Sequence, residues 1–543
     1  MPHKEPGKIR NVAVIGHRGT GKTSVVEALL FESGTINRLG SVVERSTVSD
    51  HEEEERRRGM STTASVAHLE WQGRTVNLID TPGEPSFQAD VLSALRVVEG
   101  AIVTVSGVMG VEVGTERLWR RCDELSISRL VLVNLLDRER ADFFAALDDL
   151  RSRLSDRCVA VEIPIGAEHE FRGVVDLVHM VAYLHGPDGV HDEPVEIPEQ
   201  VADLAARYHD QLMDVVAETS DELMERYLEG EQITREEMAS ALKKLVTEGL
   251  LFPVGCGAAT RNIGSRGLLD LIVEGLPSPA RARNEPEVGG ASTVAYVFKT
   301  IADPYSGRIN LLRVFAGTLA SDSTLHNNHS HARERVGQLM LLQGKEHEPV
   351  DVLGPGMIGA VAKLKETATG DVLSDSDAGV DIEPLAFPAP VVSFAIEPRH
   401  KGDEEKVFSS LRRLTEEDPS LDVHRDPQTG ETIVAGLSQM HVEVTLERMS
   451  RRFGVEVDLH PPRVPYLESI RRPARAQGRY KKQTGGRGQF GDCHVEIEPL
   501  PGHEGYEFVD KIVGGVIPQG FRPAVDKGIQ EAMARGDLSG CPV

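Results

Sequence analysis

The sequence predicts an α/β multidomain protein: a doubly wound parallel-sheet domain with an inserted subdomain, then a β-barrel, a ferredoxin-like α+β domain and a partial α+β domain. Three patterns predict this. Up to about residue 286, short apolar runs at 12–15, 76–79, 102–105 and 130–136 alternate with amphipathic helical stretches such as 90–99 and 141–154. Runs of that kind are strands buried on both faces, as a parallel sheet covered by helices requires. From 288 to 382 the pattern turns to period two, with strand candidates at 294–299, 309–316 and 357–361 between Gly, Asp and Asn turns, which suits a small barrel. After Pro384, Pro388 and Pro390 come a strand at 391–396, a helix at 403–415, strands near 421–435, a helix at 440–453 and a strand at 455–459. That is the β-α-β-β-α-β order of a ferredoxin-like domain.

The expected limits are 1–286, 287–383, 384–463 and 464–543, with the inserted subdomain at about 172–249. The insertion holds a long helical run. Val201, Leu204, Ala205, Tyr208, Leu212 and Val215 make an apolar stripe, and Thr219 with Glu222 and Thr234 with Glu237 are capping-box signatures. Beyond Pro461, Pro462 and Pro465, strands are expected at 478–482, 494–498 and 506–509, then a helix after Pro523. The chain ends at Val543 where a buried strand is due, so the fourth domain reads as incomplete.

Composition narrows the function classes. A net charge of −25 excludes a generic polyanion binder and leaves any nucleic-acid contact to a local basic patch. The five cysteines, Cys122, Cys158, Cys256, Cys493 and Cys541, show no CxxC spacing, against a zinc site or disulfide framework. No apolar leader and no run of about 20 apolar residues is visible. A cytoplasmic monomer with neither membrane nor DNA as partner is expected.

The chemistry lies at strand ends. Gly16, His17, Arg18, Gly19, Thr20, Gly21, Lys22, Thr23 and Ser24 fit GxxxxGK[ST] between a strand and a helix. The glycines let successive N–H groups face a phosphate chain, Lys22 reaches the β- and γ-phosphates, and the Thr23 hydroxyl ligates Mg²⁺. Asp80, Thr81, Pro82, Gly83 and Glu84 close another strand and put Asp80 where a metal-bound water is held. Asn134 and Asp137 follow a third strand; a carboxylate there accepts both guanine N1–H and N2–H₂. Gly257, Ala258 and Ala259 are placed to offer a backbone N–H to guanine O6. Ser61 supplies a second hydroxyl for Mg²⁺ when a γ-phosphate is present, so its loop is a switch. The preceding run from His51 to Arg58 reads as a solvated helix with Glu52–Arg56, Glu53–Arg57 and Glu54–Arg58 pairs. Between Arg471 and Arg487 lie seven basic residues and no acidic one; Arg479, Lys481, Lys482 and Arg487, with Tyr480 and Phe490, suit RNA phosphates and bases.

With these motifs in order, the chain resembles translational GTPases of the elongation factor G class, most of all the divergent second paralogues (elongation factor G-like proteins) of bacteria. The resemblance runs from about residue 9 to the end and includes Pro164-Ile-Gly166, Leu276-Pro-Ser-Pro279, Glu417-Asp-Pro419 and the stretch from Tyr480 to Phe490. It implies a P-loop GTPase domain holding GTP or GDP with Mg²⁺ on Thr23, Ser61 and Asp80, and the Gly83 N–H sensing the γ-phosphate. It also implies a ribosomal partner, with the fourth domain entering the decoding region along rRNA, and GTP hydrolysis driving tRNA–mRNA translocation or a related remodelling or recycling step. Five positions depart from the family, one of them Ser61, which replaces the switch threonine and keeps the hydroxyl. Glu84 replaces the histidine that positions the attacking water, Gly19 the loop aspartate linked to a monovalent cation, Leu135 the NKxD lysine and Ala258 a serine bracing the guanine-binding carboxylate. Glu84 can still accept a hydrogen bond from water, yet at 4 Å two like charges repel by about 1 kcal/mol even in water. Three readings stay open: a ribosome-dependent GTPase, a GTP-liganded ribosome-binding regulator or protection-type factor with weak or no hydrolysis, or an adenine-nucleotide enzyme, which fails if GTP outcompetes ATP for the site.

Overall fold

The computed structural model describes residues 4–543 except 186–192, 219, 230–232, 285, 287–291, 304–306, 377–379, 381, 383, 465, 484, 487 and 501–504. Thr219 and Arg487, both singled out above, lie outside the described residues. The chain divides into two compact units, one of Met1–Ser393, Pro398–Val423 and Val434–Asp458, the other of Phe394–Glu397, His424–Ile433 and Leu459–Val543.

In the first domain of the first unit the strands are β1 (Ile9–Gly16), β2 (Ser65–Trp71), β3 (Arg74–Asp80), β4 (Gly100–Ser106), β5 (Ser128–Asn134), β6 (Cys158–Ala160), β7 (Glu162–Ile165), β8 (Gly173–Asp176), β9 (Val181–Leu184) and β10 (Phe252–Cys256). Seven of them form one sheet in the order β2-β3-β1-β4-β5-β10-β6. β2 runs antiparallel to β3, and the other neighbours are parallel. Every residue of β1, β4 and β5 is buried, the reason these segments read as unbroken apolar runs. β1 lies between β3 and β4, so strand order reverses there and opens a crevice at its carboxyl end.

The helices of this domain are α1 (Lys22–Glu32), α2 (Glu53–Arg58), α3 (Gln88–Leu95), α4 (Val113–Glu124), α5 (Phe143–Arg153), α6 (Glu199–Ala217), α7 (Asp221–Leu228), α8 (Arg235–Glu248) and α9 (Ser265–Gly275). On α6, Ala205, Tyr208 and Leu212 are buried and Val201, Leu204 and Val215 pack against the same core. Thr234 caps α8: its hydroxyl accepts the Glu237 N–H at 3.3 Å while the Glu237 carboxylate takes the Thr234 N–H at 2.8 Å. The segment 172–249 also holds β8 and β9, which pair with β7 in a small antiparallel sheet. The run expected to stay extended to residue 136 stops at Asn134, because Leu135 turns to φ 65°.

The second domain is an antiparallel eight-stranded sheet built around β11 (Val294–Asp303) and β12 (Gly307–Ala316), with a core that includes Val297, Leu312, Leu325, Leu339 and Leu373. The chain then runs strand Val392–Pro398, α10 (Glu404–Glu417), strands Asp422–Arg425 and Thr432–Gly436, α11 (Gln439–Phe453) and strand Val457–His460, in the expected ferredoxin-like order. In the second unit, Ala474–Lys482 and Gln489–Ile497 pair as an antiparallel hairpin, and α12 (Arg522–Met533) starts with Pro523 in its first turn. Residues 506–509 form no strand, unlike the expectation: among the described residues no partner strand pairs with them.

Candidate functional site

β1 ends at Gly16 and α1 starts at Lys22, so residues 17–21 make the reversal. Gly19 and Gly21 both sit at φ 84°, a left-handed conformation that only glycine adopts without strain. A Cβ on Gly21 would also stand 2.6 Å from Asn134 Nδ2. No side chain caps α1, which leaves its first N–H groups for an anion. Thr20 pins the loop to β4, its Oγ1 2.7 Å from Thr104 Oγ1 and 3.0 Å from the His17 carbonyl. His17 Nε2 lies 3.4 Å from Glu112, while Ser24 is half-buried on α1. Lys22 is buried, and its Nζ donates to the Gly16 and His17 carbonyls at 3.1 and 3.0 Å. Burial pushes its ammonium down to about 8 against the pull of Asp80, Asp50 and Glu112. A phosphate chain would replace the two carbonyls as its partner and raise its pKa again.

Asp80 closes β3 inside the same crevice. Both its carboxylate oxygens are buried and neither completes a hydrogen bond. Burial and then Asp50 push the carboxyl up to about 7, with the Thr23 and Ser49 hydroxyls and Lys22 acting in the other direction. Thr23 Oγ1 and Ser61 Oγ stand 3.0 Å apart. Asp50, which sequence reasoning missed, is buried beside Ser61, and burial raises its carboxyl too. Orphaned carboxylate oxygens next to two hydroxyls fit a hard divalent cation. Among the described residues no group of three His, Cys, Asp or Glu side chains gathers as a metal site. A cation here therefore needs phosphate oxygens and water to fill its shell, which is how Mg²⁺ binds beside nucleotides.

Gly83 lies directly on the phosphate loop: a Cβ there would overlap Lys22 Nζ and come within 2.9 Å of the Arg18 backbone. Glu84 follows, with Oε2 3.3 Å from Arg18 Nη1 and Oε1 3.5 Å from Ser86 Oγ. On the base side, Asp137 Oδ1 is buried and unpartnered. Asn134 is fully buried and braces two loops, donating to the Thr20 carbonyl at 2.9 Å and accepting the Ala259 N–H at 3.1 Å. The expected free N–H for guanine O6 differs from what the loop holds. Gly257 N bonds the Val133 carbonyl, Ala258 N the Ile263 carbonyl and Ala259 N the Asn134 side chain, so a base must share one of these donors.

The charge run at 51–58 also departs from its expectation. Its groups pair with α11 and not along α2: Glu52 meets Arg451 and Arg452, Glu54 meets Arg451 at 2.8 Å, and Arg57 and Arg58 meet Glu447 at 2.5 and 2.7 Å. Arg448 holds the Thr62 carbonyl and hydroxyl at 3.2 and 2.8 Å. Ser86 Oγ sits 2.8 Å from Ser438 Oγ at the start of α11, and Lys299 of β11 bonds Asp90 and Thr63. In the second unit, Arg479, Lys481 and Lys482 are exposed on the hairpin, with Arg479 5.7 Å over the Phe490 ring.

The crevice at the switch point is thus flanked by two loops that dock on later domains of the same unit. A model of the elongation factor Tu GTP-binding domain matches residues 7–278, and models of elongation factor G domain 2, domain III and domain IV match 292–376, 387–461 and 462–543. Elongation factor G of Thermotoga petrophila is 41% identical over 99% of this chain and 79% of its own, and that of Thermotoga sp. strain RQ2 is 40% identical with the same coverage. A crystal structure of a Thermus thermophilus protein superposes with a TM-score of 0.87 at 36% identity, over 99% of this chain and 79% of that one. The chain belongs to the elongation factor G family.

Proposed function

We propose that this chain binds GTP with Mg²⁺ and hydrolyses it on the ribosome, to drive tRNA–mRNA movement or a related remodelling or recycling step. The observation that carries the nucleotide site is the orphaned, buried Asp80 carboxylate beside the Thr23–Ser61 hydroxyl pair. In this reading Lys22 and the loop N–H groups hold phosphate, Thr23, Ser61 and Asp80 serve the metal shell, the Gly83 N–H senses the γ-phosphate, and Asp137 selects guanine. Bound Mg²⁺ would offset phosphate charge. Glu84 is the candidate for positioning water. The departures at Gly19, Glu84, Leu135 and Ala258 support a place among the divergent second paralogues. The exposed basic hairpin supports contact with rRNA in the decoding region by the domain at 464–543, and the chain acts as a cytoplasmic monomer. The Arg18–Glu84 pair favours a second reading, a GTP-liganded ribosome-binding regulator, because it ties up the carboxylate that must meet water. GTP turnover with and without ribosomes separates the two. Strong stimulation supports the enzyme; no stimulation, and none gained in Glu84→His, supports the regulator.

A further inference from the structure

The mouth of the phosphate loop carries an ion pair that no nucleotide ligand above accounts for. Glu84 follows the glycine packed on Lys22, and its carboxylate pairs with Arg18 of the phosphate loop itself, so in the nucleotide reading it lies near the end of a bound triphosphate. It is mostly withdrawn from water, its side chain 18% exposed, while that of Arg18 is 55% exposed. Arg18 Nη1 donates to one oxygen at 3.3 Å and Ser86 Oγ to the other at 3.5 Å. Left alone, that negative charge would repel a γ-phosphate. It would act far less on GDP, which ends one phosphate short. We propose that Arg18 is a positioning residue that neutralises and tethers Glu84, and that the pair sets the preference of the site for GTP over GDP. The inference rests on the nucleotide reading above and adds a specificity determinant to it. It assigns Arg18 no contact with the reacting atoms. Because Arg18 is half exposed, its effect is screened by salt.

The test is binding, not turnover: fluorescence titration of the full chain with a non-hydrolysable GTP analogue and with GDP, in Mg²⁺ buffer at low and high salt. Arg18→Ala is expected to lower the ratio of analogue to GDP affinity about tenfold, equivalent to about 1.4 kcal/mol, and by less at high salt. Arg18→Lys keeps the charge and most of the ratio. Adding Glu84→Gln to Arg18→Ala restores the ratio, since the repelling charge is gone. A purely structural role in the loop predicts equal weakening of both nucleotides without rescue by Glu84→Gln, and that result overturns the inference. A wild-type chain that binds neither nucleotide overturns the GTP reading itself and this inference with it.

Discussion

Replacing Arg452 by alanine tests whether α11 anchors the loop that carries Ser61. The guanidinium is 8% exposed and joins two carboxylates, Glu52 at 3.0 Å and Glu417 at 2.5 Å. Burial alone would raise the Glu52 carboxyl, but Arg452 first and then Arg451 bring it down from 4.5 to about 2. That gap corresponds to about 3 kcal/mol, and sharing it between two arginines leaves roughly 1.5 kcal/mol for Arg452. Glu417 loses the same cation, so a total near 2 kcal/mol is expected, below the 3–5 kcal/mol typical of a fully buried pair. Since the energy is local, hydrogen exchange is the suitable assay: protection across 52–58 and 439–453 should fall about thirtyfold in Arg452→Ala. The pH sign follows from a depressed carboxyl. Its stabilisation is present above about pH 4.5 and is lost as pH falls toward 2, so wild-type protection should drop through that window and the variant should drop less. A change under about 0.5 kcal/mol, the worth of an exposed pair, or an unchanged pH profile, would refute the anchoring.

Other outcomes follow from the same site. Asp80 has its carboxyl raised from 3.8 to about 7, so its burial costs stability progressively as pH climbs from about 4 toward 7 and in full above that; Asp80→Asn should melt higher than wild type at pH 8 without nucleotide, while losing most of the Mg²⁺ dependence of GTP affinity in titrations with and without EDTA. Asp137→Asn should move preference from guanine to xanthine nucleotides, by about tenfold or more in competition binding, because the buried acceptor Oδ1 becomes an amide. Lys481→Glu with Lys482→Glu should weaken ribosome association and flatten its salt dependence in a pelleting assay; an unchanged salt slope means the hairpin is not the contact.

What the sequence made legible is what neighbours along the chain decide. Residues 16–24 need two left-handed glycines and a lysine at fixed spacing, and the structure turns them as the pattern demands. The buried parallel strands declared themselves by unbroken apolar runs, and Thr234 with Glu237 by capping chemistry that spans three residues. Tertiary pairing was not legible. Glu52 and Arg56 have ideal helical spacing, yet Glu52 is claimed by Arg451 and Arg452, far off in sequence and less exposed to water. β8 and β9 are four residues each, too short for periodicity to tell strand from helix. Asp50 looked like one more acid in an acidic stretch; only burial beside Ser61 sets it apart.

α11 touches both loops that flank Asp80 and the Thr23–Ser61 pair, and the two attachments are unequal. Ser86 reaches Ser438 through one neutral hydroxyl pair at 2.8 Å, and Phe87 meets the His441 ring edge-on at 5.7 Å. Near the other end, Arg448 gives Thr62 two charge-assisted bonds and Arg451 and Arg452 add their carboxylate partners. Charge-assisted bonds are worth about 1.5–3 kcal/mol each and neutral ones about 1. Ten residues separate Ser438 from Arg448, about 15 Å of rigid helix, so neither loop can shift far without straining its own attachment. The weaker one yields first. Residues 81–87, with Gly83 on the phosphate loop, should therefore open more often than residues 52–62. Ser86→Ala should raise exchange across 81–87 severalfold and leave 52–62 nearly unchanged, while Arg448→Ala should do the reverse with the larger effect. Equal responses in both loops would mean that α11 holds them as one piece and that the bond count along it does not set the order of opening.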